Sequence, residues 1–62
     1  MLQALKLKYE GQIAMADAAI KILLQQSVAV GEHPTDKLFE DLDHQLQVIA
    51  DCRDKLEVLN SQ

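Results

Sequence analysis

Apolar residues in the first half of the chain fall on two opposite faces of a helical repeat. At ~100° per residue, Leu2, Leu5, Tyr9, Ile13, Ala16, Ile20, Leu23 and Leu24 make one stripe. From Tyr9 onward the positions 9, 13, 16, 20 and 23 step alternately by four and three, the seam spacing of a helix lying along a neighbour at a shallow angle. Leu7, Gly11, Ala14, Met15, Ala18 and Ile22 form a second stripe nearly opposite, and Lys6, Glu10, Asp17 and Lys21 fill a polar strip along one side between the two. With no proline, one interior glycine and many Ala, Leu, Lys and Gln residues, the segment predicts a helix over about residues 2–30. One of its faces can be covered by the rest of this short chain. The other needs a second molecule.

The pattern changes at Val30-Gly31. Gly31 suits the left-handed residue that ends a helix, and His33-Pro34-Thr35-Asp36 then supplies a start signal, with either Pro34 in the first turn or Thr35 as the cap. A turn over 31–34 is therefore expected, followed by a second helix over about 35–59. Its pattern is that of an ordinary amphipathic helix: Leu38, Leu42, Leu46, Ile49, Cys52, Leu56 and Leu59 line one side, and Lys37, Glu40, Asp43, His44, Gln47, Asp51, Asp54 and Lys55 the other. So short a connection makes the two helices antiparallel neighbours.

The expected fold is thus all-α, a single antiparallel two-helix hairpin that dimerises into a four-helix bundle with coiled-coil-like seams. Folding about Glu32-His33 brings together positions whose numbers add to about 65. That register sets Tyr9 against Leu56, Ile13 against Cys52, Ala16 against Ile49, Ile20 against Gln45 and Leu46, Leu23 against Leu42, and Ser27 against Leu38. The expected intrachain core is Tyr9, Ile13, Ala16, Ile20, Leu23, Leu38, Leu42, Leu46, Ile49, Cys52 and Leu56. The expected self-association face is Leu7, Gly11, Ala14, Met15, Ala18 and Ile22, with Phe39, Leu46 and Ala50 at the margin of the second helix placed to widen it.

Composition supports a folded, association-dependent domain. An apolar content of 48% is ordinary for a globular protein. A chain of 62 residues, however, buries only ~60% of its unfolded surface, so its stability leans on oligomerisation. The formal charge of −4 is uneven: residues 1–31 carry three lysines against two acids, and residues 32–62 carry eight acids against three bases. An acidic second half argues against nucleic acid as a partner. No apolar run approaches a membrane span, since Lys21 interrupts the longest one, and no signal peptide is apparent at the start of the chain. The lone Cys52 fits a reducing compartment, and the expected location is the cytoplasm.

Candidate chemistry is sparse. Asp41 and His44, three residues apart, and Glu40 and His44, four apart, share helix faces as metal ligands do, and carboxylate-x-x-His is half of a di-iron bundle motif. That use needs further carboxylates pointing inward from other helices, so a solvated acidic face is the reading taken and no metal or cofactor is expected. Cys52 lies on the apolar stripe, where a cysteine serves as a small hydrophobe, and no histidine is near it in the expected register. Gln45 sits within the seam, as an edge residue reaching solvent or as a polar contact that sets the register of an oligomer. There is no phosphate-binding loop, catalytic triad or zinc spacing, so the chain is not expected to be an enzyme.

In size and hairpin layout the chain resembles the small co-chaperones of type III secretion needle subunits, a resemblance of architecture that implies a binder covering an apolar helix of a different protein. In length and layout it is also similar to the plasmid RNA-binding hairpin dimers of the Rop type. Their RNA-binding role needs a basic face, and Lys6, Lys8 and Lys21 do not make one. The leading expectation is a non-enzymatic interaction protein, a homodimer acting as an adaptor or regulatory module. The alternative is the chaperone-like binder, and a metal-binding carboxylate/His bundle comes third.

Overall fold

The computed structural model describes the backbone of residues 1–30 and 35–62 and the side chains of residues 1–26 and 35–62. Helix α1 spans Leu2–Val30 and α2 spans Asp36–Asn60. At ~1.5 Å rise per residue their 29 and 25 residues account for the long dimension of 47 Å, with the two rods side by side in a cross-section of 16 × 12 Å. The expected turn at Gly31 to Pro34 and the Ser27–Leu38 pair lie outside the described residues.

The start of α2 is set by Thr35. Its backbone is extended (φ −97°, ψ 163°), and its Oγ1 accepts a hydrogen bond from the Leu38 amide at 3.2 Å, with Asp36 in the positive first turn. Of the two starts that the sequence allows, Thr35 is the cap. Thr35→Ala should lower stability by about 1 kcal/mol in denaturant unfolding, whereas Thr35→Ser should be nearly neutral. An equal loss for both would show that the hydroxyl is not what matters. At the far end Asn60 is still helical, and Ser61 closes the last turn by donating from its amide and its Oγ to the Glu57 carbonyl at 3.1 and 2.8 Å.

The helices run antiparallel along the expected seam. Gln12 meets Cys52 and Tyr9 meets Lys55, pairs whose numbers add to 64, and Leu23 and Asp41 border one groove at the same sum. Among the described residues Ala16 and Cys52 are the fully covered ones, each 3% exposed. Around them Leu5, Tyr9, Ile13, Ala19, Ile20 and Leu23 of α1 and Leu38, Leu42, Gln45, Val48, Ile49, Leu56 and Leu59 of α2 are half-buried. Small Ala16 and Ala19 on α1 share a groove with Gln45 and Val48 of α2.

One expected core residue is elsewhere. Leu46 is 57% exposed and belongs to a flank of α2, not to the intrachain core. The physical reason is the four-three step: once Leu42, Gln45 and Ile49 face α1, Leu46 is turned ~100° past Gln45. Leu2, at the start of α1, and Leu24, at the margin of the first stripe, are likewise about half exposed.

Candidate interaction surface

Because α2 covers one face of α1, the opposite face of α1 is left open in the single chain. Leu7, Met15 and Ile22 are 59%, 75% and 52% exposed, and Gly11, Ala14 and Ala18 between them are exposed as well. No charged side chain interrupts this stripe. It is bounded on one side by Glu10, Asp17 and Lys21, where the Lys21 Nζ lies 3.2 Å from an Asp17 carboxylate oxygen one turn away, and on the other by Lys8, Gln12 and Ala19. The 3.2 Å pair is exposed and adds little to stability.

Gly11 is informative here. A Cβ at that position would meet nothing within 4 Å, so the chain itself has no steric need for glycine there. A glycine inside a helix costs ~1 kcal/mol relative to alanine. Among the described residues no contact at Gly11 offsets that cost.

Two shallow grooves run along the Gln12–Ala19 side of the hairpin. One is lined by Gln12, Met15, Ala16, Ala19, Gln45 and Val48; the next, toward the end of α1, by Ile22, Gln26, Asp41 and His44 among others. Phe39, Leu46 and Ala50 line neither. Antiparallel packing turns their flank of α2 to the other side, beside the Asp17–Lys21 strip, so they do not extend the Met15–Ile22 face as the sequence reading expected. Instead Leu24, Phe39 and Leu46 are each about half exposed, and the antiparallel register puts all three on one side of the hairpin.

Compared with protein-family models, with curated proteins and with solved structures, the chain matches none. The surface itself therefore carries the functional reading.

The polar candidates are placed as follows. Cys52 is buried, and its thiol donates to the Gln12 Oε1 at 3.2 Å. The hydrophobic pattern assigns Gln12 no partner, although its number adds with that of Cys52 to nearly the expected register sum. Gln45 is half-buried at the rim of the seam. Asp41 lies 3.8 Å from Lys37 one turn back, and His44 is exposed on the same groove wall. Among the described residues no three His, Cys, Asp or Glu side chains are grouped to hold a metal ion. The Lys55 ammonium stands 5.3 Å over the Tyr9 ring, a contact that covers the terminal end of the seam. Among the described residues no helix is long and apolar enough to cross a membrane.

Proposed function

We propose that this protein is a non-enzymatic interaction module that self-associates through the face of α1 opposite α2, forming a homodimer of four helices that serves as an adaptor or regulatory element. The observation that carries the reading is the exposure of Leu7, Met15 and Ile22 on one uncharged stripe of a helix whose other apolar face is already in use. At ~25 cal/mol per Å², a few hundred Å² of such surface is worth several kcal/mol, comparable with the whole stability of so small a domain. Contiguous apolar surface of that kind marks an interaction site. The acidic outer side of α2 then keeps the assembly soluble.

The expected result of sedimentation equilibrium at micromolar concentration is the mass of a dimer, with melting that shifts upward as concentration rises. A well-folded monomer would sink this reading. One observation favours a second reading, a chaperone-like binder of a foreign apolar helix: the Leu24, Phe39 and Leu46 flank stays open when the α1 face pairs with itself. Co-purification of a monomeric hairpin with one stoichiometric partner, lost on Phe39→Ser, would select it.

A further inference from the structure

We propose that α1 pairs antiparallel with α1 of a second copy, about a two-fold axis between Ala14 and Met15. Resting on the self-association reading above, this pairing makes the two α1 helices the centre of the dimer and the two α2 helices its outside. Because the two apolar faces of α1 are nearly opposite, the four helices lie in the order α2, α1, α1, α2 instead of closing a square.

The open stripe reads almost the same in both directions. Leu7 and Ile22, Gly11 and Ala18, and Ala14 and Met15 each add to 29, so an antiparallel copy sets large against large at the two ends, small against small inside them, and Met15 against alanine at the centre. The same-direction alternative stacks Met15 on Met15 and Gly11 on Gly11, a bulge beside a gap, and aligns the two helix dipoles unfavourably. Gly11 acquires a reason in the antiparallel arrangement: it faces the second copy's Ala18 where the backbones come closest, and the open space at its Cβ position is then filled from outside the chain.

Charges on the flank agree. The axis keeps the Glu10–Asp17–Lys21 flank of one copy beside the same flank of the other, with Glu10 and the second copy's Lys21 within ~3 Å of level along the helix. Those two are the flank positions nearest the stripe, and their signs are opposite; the second copy's Asp17, equally near in level to Glu10, lies farther round the flank. On the other flank Lys8 meets the level of Ala19, Ile22 and Gln26, where no like charge stands.

The area is also sufficient. Helix α1 carries roughly half of the 4910 Å² surface, and a stripe ~100° wide from Ala4 to Gln25 takes roughly 700 Å² of it per copy. Two copies together bury about 1,400 Å², inside the ~1,200–2,000 Å² of stable interfaces.

Single cysteines placed in a Cys52→Ala chain, checked first for helix content and dimer mass, test the pairing by mild oxidation. Ala14→Cys should form a disulfide-linked dimer at least tenfold faster than Leu7→Cys, because position 7 of one copy lies about 22 Å from position 7 of the other. Leu7→Cys mixed with Ile22→Cys should cross-link as Ala14→Cys does. Ready self-linking of Leu7→Cys would mean parallel pairing and overturn the inference while leaving self-association standing. A dimer that links at none of these positions would overturn both the pairing and the face, and a monomer would overturn the functional reading itself. In the chain that keeps Cys52, Glu10→Lys should raise the dimer Kd at least threefold, and adding Lys21→Glu should restore it to within twofold. Failure of that rescue counts against the antiparallel register.

Discussion

Ala16→Glu is expected to abolish the cooperative unfolding transition of the hairpin. Ala16 is 3% exposed and shares a groove with Gln45 and Val48 of α2. A longer side chain there forces the helices apart, at about 1–3 kcal/mol for overpacking alone. Its carboxylate adds about 3–5 kcal/mol if it stays charged without a partner, and no cation lines that groove. A 62-residue domain has roughly 3–9 kcal/mol in all, so the two costs together are of the same size as the whole stability. Far-UV circular dichroism should show a broad, shallow melt at low helicity. A sharp transition within a few degrees of the wild type would mean that Ala16 is not at the seam.

Ala18→Glu is the counterpart on the other side of α1. In the isolated hairpin Ala18 is exposed, and Glu is nearly as good a helix former as Ala, so a monomer would lose only a few tenths of a kcal/mol. In the proposed dimer the same change buries a carboxylate in the middle of the apolar contact, beside the second copy's Gly11. The dimer Kd should rise about a hundredfold or more, ~2.7 kcal/mol. Sedimentation should then show a lower mass together with a lower melting midpoint, and the midpoint should depend on concentration across the range where the weakened dimer dissociates. Unchanged mass and unchanged stability would remove the outer face of α1 from consideration. Comparing the two variants separates the roles: Ala16→Glu acts on folding of the chain, Ala18→Glu on its association.

Much of this architecture is legible from spacing alone, since a helix repeats every ~3.6 residues whatever surrounds it. The four-three steps at Tyr9, Ile13, Ala16, Ile20 and Leu23 and at Leu38, Leu42, Ile49, Cys52 and Leu56 are a property of the sequence, and so is the second stripe from Leu7 to Ile22 on the opposite side. The choice between Gln45 and Leu46 is not. The four-three step points to Gln45 and hydropathy to Leu46, adjacent residues ~100° apart, and the packing of α2 on α1 decides for the glutamine and leaves the leucine on a flank.

The sequence by itself determined two helices, their lengths, their antiparallel order and the double-faced character of α1, because these follow from local periodicity and a short connection. Only the tertiary structure decided which flanks share a side. That is why Phe39, Leu46 and Leu24 form a surface of their own instead of widening the Met15–Ile22 face, and why Gln12, polar and unassigned in the pattern, receives the Cys52 thiol at 3.2 Å. Both outcomes depend on the rotation of one helix about its axis relative to the other, which close packing of side chains from both helices sets and which neither stripe specifies alone.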